Sequence, residues 1–124
     1  MTRVIIAGSR QFNDYKLMLN TLDEFGVHLI NTIDPVEIIS GHAPGADTLG
    51  EKFAITYGYP LKIFPAEWNK YGKAAGPIRN EKMVKYASKA NRGILIAFPV
   101  GESRGTRNMI KLAKRYKLEV YVIE

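Results

Sequence analysis

Apolar residues fall along this chain in five short runs, separated by stretches in which they recur every three or four positions. The first run, Val4–Ala7, is closed by Gly8 and reads as a buried strand. Asp14 then offers an N-cap for a helix over Tyr15–Phe25. That helix carries Leu17, Met18, Leu22 and Phe25 on one face, and Gly26 stops it. His28–Asp34 is ambiguous and reads as an irregular approach to the break at Asp34-Pro35. Val36–Ser40 is the second strand.

The next helix covers about Ala46–Tyr57. Ala46, Leu49, Gly50, Phe53 and Tyr57 repeat at helical spacing, and Gly58 ends it. Gly50 has no side chain, which lets this helix sit close to the sheet. Leu61–Phe64 is a third strand, closed by Pro65. Ala66–Gly76 is too long for a turn and predicts a functional loop or a short helical excursion. Pro77 suits the first position of a helix. This helix turns Ile78, Met83, Val84 and Ala87 inward and ends near Ala90-Asn91. Ile94–Phe98 is the fourth strand. Thr106 can cap the last helix, whose apolar stripe is Met109, Ile110, Ala113 and Tyr116, and Leu118–Ile123 is the final strand.

Short, continuously apolar strands alternating with helices predict an α/β fold. The expected architecture is a three-layer, Rossmann-like, doubly wound sheet of about five parallel strands. Val4–Ala7 and Ile94–Phe98 are the most apolar runs and should lie side by side near its centre. With 124 residues and no linker or repeat, the chain reads as a single domain, 1–124.

Three glycine-bearing turns follow strands and so share the carboxyl edge of the sheet, where such folds bind ligands. They are Gly8-Ser9-Arg10, Ser40–Asp47 with Gly41 and Gly45, and Gly101–Thr106 with Gly105. A glycine turn at a helix start leaves N–H groups free beside the positive end of the helix dipole, which draws an anion. The same glycines equally suit turn positions where φ is positive. Thr106 can be a cap and a phosphate ligand together. Asp47 either complements the dipole or bonds a ribose hydroxyl or a basic side chain. Arg79 and Met83 share a helix face, with Asn80 close to it, near a helix start, where an arginine opposes the dipole and gains from a bound anion. Arg10 has a similar case. Trp68 and Tyr71 either anchor their loop or stack on a base.

Composition narrows the chemistry. The chain has no cysteine, which excludes disulfides, thiolate nucleophiles and cysteine-based zinc sites. His28 and His42 lack metal-ligand spacing, and neither metal nor cofactor is expected. No apolar run reaches the ~20 residues of a membrane span. The first strand begins near Met1, so a cytoplasmic location is expected. The net charge of +6 favours anionic ligands. Lys111, Lys114, Arg115 and Lys117 on the last helix read as a solvated face that complements the dipole.

Taken together, Gly8-Ser9-Arg10, Ser40-Gly41-x-x-x-Gly45-Ala46-Asp47, Phe64-Pro65-Ala66-x-Trp68-x-x-Tyr71-Gly72, Ala75-Gly76-Pro77-x-Arg79-Asn80-x-x-Met83 and Gly105-Thr106 resemble the small YspA-related members of the SLOG superfamily. That superfamily is Rossmann-like. It includes the DNA-processing protein Smf/DprA, the LOG phosphoribohydrolases and nucleotide-sensing modules. The resemblance implies a nucleotide or nucleotide-derived ligand, held by a sensing or sequestering module. Two alternatives follow from the same resemblance: LOG-like hydrolysis of a nucleoside monophosphate, and DprA-like binding of single-stranded nucleic acid through Trp68, Lys70, Tyr71 and Lys73. LOG enzymes carry Pro-Gly-Gly-x-Gly-Thr-x-x-Glu, with the glutamate acting in base–ribose cleavage. Here Gly105-Thr106 leads to Met109 at the glutamate position, so a hydrolase would need its carboxylate from Asp47 or Glu102. A homodimer, as in LOG proteins, could form through Met83, Val84 and Tyr86.

Overall fold

A computed structural model describes residues 1–124. Five strands form one sheet in the order β3-β2-β1-β4-β5: β1 (Thr2–Gly8), β2 (Val36–Ser40), β3 (Leu61–Ile63), β4 (Arg92–Phe98) and β5 (Glu119–Val122). Every pairing is parallel. The longest joins β1 to β4 over seven residues, Thr2 opposite Arg92 through Gly8 opposite Phe98, at the centre of the sheet.

The strands are apolar at successive positions because both faces are covered. Val4 and Ile6 of β1 point into one core, with Met18, Leu22 and Phe53. Ile5 and Ala7 point into the other, with Met83, Val84 and Leu112. The first core lies under α1 (Tyr15–Phe25), α2 (Val27–Ile33) and α3 (Ala46–Tyr57). The second lies under α5 (Ala75–Ser88) and α6 (Arg104–Arg115). Burial of each large aliphatic side chain contributes about 1.5–3 kcal/mol. A short helix, α4 (Trp68–Tyr71), and a 3-10 turn over Gly72–Ala74 precede α5.

Four expectations need correction. His28–Asp34 is not irregular but belongs largely to α2. Gly26, at φ 86°, closes α1 with its N–H on Leu22 and Asp23 and starts α2 by accepting from Ile30. Buried Val27 anchors the new helix, which stops where Asp34 turns extended before Pro35. Second, α5 starts at Ala75, because the 3-10 turn runs straight into it. Pro77 is then its third residue, still inside the first turn where its missing N–H is not needed. Arg79 is its fifth residue, beyond the reach of the dipole argument. Third, the cap of α6 is Ser103, which accepts from Thr106 N, while Thr106 lies inside the helix. Fourth, Met83 and Val84 are fully buried against the sheet and present no surface for a homodimer.

Gly50 of α3 does bring its helix close to the sheet: a Cβ there would lie 2.9 Å from both Cβ and Cγ2 of Ile6. In an exposed helix Gly→Ala stabilises by about 1 kcal/mol. Here Gly50→Ala should lower the melting temperature instead, since overpacking costs about 1–3 kcal/mol. A thermal melt of the variant that shows a rise would contradict this close contact.

Candidate functional site

β1 and β4 are neighbours, yet their chains leave the carboxyl edge toward opposite helix layers, β1 to α1 and β4 to α6. The divergence opens a cleft of about 660 Å³. Gly8, Arg10 and Asp47 line it from one layer, and Arg79, Asn80, Gly105 and Thr106 from the other. Trp68 and Glu102 stand at it as well. The structure thus brings nine of the sequence-predicted residues around one space.

The remaining predicted residues form the layer behind it. Ser9 is buried, and its Oγ accepts from Val100 N at 2.7 Å, tying the two diverging loops together. Gly45, at φ 84°, is pressed against backbone: a Cβ there would meet Ser9 O at 2.3 Å and Arg10 O at 2.5 Å. Ala46 N donates to Ser9 O at 3.2 Å. Ser40 Oγ is fully buried and donates to Glu51 at 2.7 Å. Gly41 is bare because Arg79 Nη1 and Asp47 Oδ2 each lie 2.8 Å from where its Cβ would stand.

This packing engages part of the Gly41–Gly45 turn. Some of its donors are spent internally, His42 N on Ser40 Oγ and Ala43 N on Asp47 Oδ2, and the following Ala46 N bonds Ser9 O, while Gly41 N and Gly45 N take no partner in the chain. Free donors lie at α6 as well. The N–H groups of Arg104 and Gly105 find no partner in the chain, and both residues line the cleft. The start of a twelve-residue helix with two free N–H groups attracts an anion.

Arg79 reaches across from α5. Its Nη1 donates to Gly41 O, and its Nε donates to Asn80 Oδ1 at 2.9 Å. It forms no ion pair. Burial pulls its guanidinium below the usual arginine range, with Asp47 opposing that change. Asn80 is a joint rather than a free ligand, since its amide nitrogen donates to Asn108 Oδ1 at 2.9 Å and Gly105 O at 3.3 Å.

The two candidate carboxylates differ sharply. Glu102 is exposed and paired with Arg107 at 2.5 Å. Asp47 is buried, and burial pushes its carboxyl up to about 6, against the pull of the Ala43 N–H and Arg79. Nearby Glu51 adds to the rise.

Among the residues lining the cleft, sequence reasoning did not single out Gln11, Arg104 or Asn108, and named Lys73 only for the nucleic-acid alternative. It also missed the buried partner set of Glu51, whose carboxylate takes Ser40 Oγ and faces Nδ1 of His42 at 2.9 Å. His42 sits at φ 61°, a left-handed conformation uncommon outside glycine. The available signal was the i,i+4 spacing of Asp47 and Glu51, which puts both acids on one face of α3. No three of the His, Asp and Glu side chains group as metal ligands, and no helix is long and apolar enough to cross a membrane.

A raised carboxyl makes a signed prediction. Asp47 keeps its proton in the fold up to about pH 6 but loses it near 3.8 when unfolded. Stability therefore falls as pH rises from about 4 to 6 and is flat above, at a total cost of about 3 kcal/mol. Asp47→Asn should be more stable than the parent at pH 8, with the advantage vanishing near pH 4. Melting temperatures of both proteins across that range test it, and an advantage independent of pH would refute the buried charge.

Against known proteins, a family model described as YAcAr: YspA, cpYpsA-related SLOG family matches residues 2–71. Over 125 aligned residues, the chain is 30% identical to the Gene 61 protein of Mycobacterium phage D29, covering 97% of this chain and 94% of that protein. No solved structure matches it.

Proposed function

We propose, for a chain that belongs to the YspA, cpYpsA-related SLOG family, that the cleft binds a nucleotide or nucleotide-derived small molecule. The protein then acts as a sensing or sequestering module. The observation that carries this reading is Arg79, a largely buried cation in the cleft with no ion-pair partner in the chain. A buried charge without a counter-ion is costly, and a ligand phosphate offsets that cost. Arg10, Lys73 and Arg104 supply further positive charge around the same space. The free N–H groups of Arg104 and Gly105 supply neutral donors, and the phosphate sits between them and Arg79. Trp68 is half exposed at the cleft and offers a face for a base. Ser9, Ser40, Gly41, Gly45 and Ala46 serve by holding the walls in register.

Asp47 supports a second reading. A buried carboxyl that titrates near pH 6 can stabilise an oxocarbenium-like ribose when ionised, as base–ribose hydrolysis requires. Met109, at the position of the LOG glutamate, is buried and supplies no charge. Assaying a panel of nucleotides for free base separates the two readings. Stabilisation without release supports the sensing module, and release that disappears in Asp47→Asn supports the hydrolase.

Arg79→Ala should weaken nucleotide binding about tenfold to a hundredfold, as expected when charge-assisted bonds of roughly 1.5–3 kcal/mol are lost. Arg79→Lys should recover only part, because an ammonium lacks the two-pronged guanidinium geometry. Some stability should also be lost with the bond to Gly41 O. Titration calorimetry measures the affinities, and equal affinity in parent and Arg79→Ala would sink the proposal.

A further inference from the structure

The two helix layers carry opposite charge. Over residues 14–34, through α1 and α2, Lys16 stands alone against Asp14, Asp23, Glu24 and Asp34. On the other layer α6 and its last turn hold Arg104, Arg107, Lys111, Lys114, Arg115 and Lys117, all exposed, with no acid between them. Neighbouring α5 adds exposed Lys82, Lys85 and Lys89. Its Glu81 accepts from the Tyr116 hydroxyl at 3.0 Å. Glu102 pairs with Arg107, and Glu67 lies 3.8 Å from Lys82. Lys85, Lys89, Lys111, Lys114, Arg115 and Lys117 make no ion pair at all.

A solvated face needs no such bias, since mixed charges give solubility with less self-repulsion. We infer that the outer face of α5 and α6 binds the phosphate backbone of duplex nucleic acid, independently of its sequence and of the cleft. Three observations select this partner. With Arg104 left to the cleft, the cations from Arg107 to Arg115 span about 12 Å along the helix at 1.5 Å per residue. That length matches roughly three to four base-pair steps of 3.4 Å. The apolar sides of both helices are used up in the core, where Met83, Val84, Met109 and Ala113 are buried, so no exposed apolar stripe is left to enter a membrane. The face also lacks stacking platforms for unpaired bases. Tyr116 bonds Glu81, and Tyr86 lies under Arg3 and donates to Glu37. Lysines and arginines without base-reading geometry contact phosphates and do not specify sequence.

The test is anisotropy of a labelled DNA duplex with the full chain over a salt series, beside a single strand of equal length and vesicles containing phosphatidylserine. The duplex should bind best, with affinity falling steeply with salt. Lys111→Gln/Lys114→Gln/Arg115→Gln should weaken duplex binding roughly tenfold or more. It should also flatten the slope of log K against log salt by about 2–3, since each lost phosphate contact accounts for about 0.9. Melting confirms that this variant is folded. Lys85→Gln/Lys89→Gln, on the other helix, should shift affinity and slope in the same direction. Nucleotide binding in the cleft should be unchanged in both variants, so failure here is separable from failure of the cleft reading. No duplex binding at low salt, unchanged slopes in both variants, or preference for the vesicles or the single strand would overturn the inference.

Discussion

The molecule depends on one constraint: β1 and β4 must pair to their very ends and then part. Gly8 lies opposite Phe98, and a Cβ on it would come within 2.3 Å of Phe98 O. Ser9 N then donates to that same carbonyl, and Ser9 Oγ latches Val100 N. The two chains are held together through the first residues after the strands and diverge only beyond them. The cleft is therefore narrow at its base and opens between two helix layers, the geometry expected at a switch in strand order. Gly45 closes against the carbonyls of Ser9 and Arg10, so the base of the site is backbone on backbone with no side chain between.

Onto this base the fold sets charges at a cost. Asp47 is raised and Arg79 lowered by burial, and the two partly relieve each other without forming an ion pair. Both lean over Gly41, which must lack a side chain to admit them. A protein selected for stability alone would favour a closed pair or an apolar contact here. The open arrangement keeps a cation and an acid available to a third group. Behind them Glu51 gathers Ser40 and His42 and holds the left-handed backbone of His42 in place, a strain that only a well-braced loop sustains.

Much of this was legible in the chain, for definite reasons. Continuous apolar runs ended by glycine or proline gave the parallel sheet and the central place of Val4–Ala7 and Ile94–Phe98. Asp14 gave the cap of α1, and Gly50 gave the close helix. What escaped depended on contacts between segments distant in sequence. The helix over Val27–Ile33 is fixed by one residue, Gly26, ending one helix and starting the next. The glycines of Ser40–Asp47 were legible as special positions, and the positive φ of Gly45 with them, but the contacts that require them were not. Gly45 answers to the backbone of residues 9 and 10, and Gly41 to a guanidinium 38 positions away. Asn80 was legible as a member of the site but not as a joint to Asn108, because no spacing rule links two helices across a strand.

The acid in a cation-lined cleft bears on what kind of ligand the cleft discriminates. Against a bare polyphosphate, Asp47 is a penalty: once ionised it repels, and kept neutral it retains a proton that its burial already favours. Against a ligand carrying hydroxyl groups beside its phosphate, the same carboxylate accepts hydrogen bonds while Arg79 takes the charge. A buried polar group left unpaired costs more than a made bond gains, so such a site rejects the analogue that lacks the hydroxyl. Under the proposed reading Asp47 therefore contributes selectivity, and its raised carboxyl is the stability cost of keeping that selectivity in the fold. The same argument weighs against cleavage as its main role. Met109, buried in the core under α5 and α6, supplies no charge to the cleft, and Asp47 enters from the opposite helix layer.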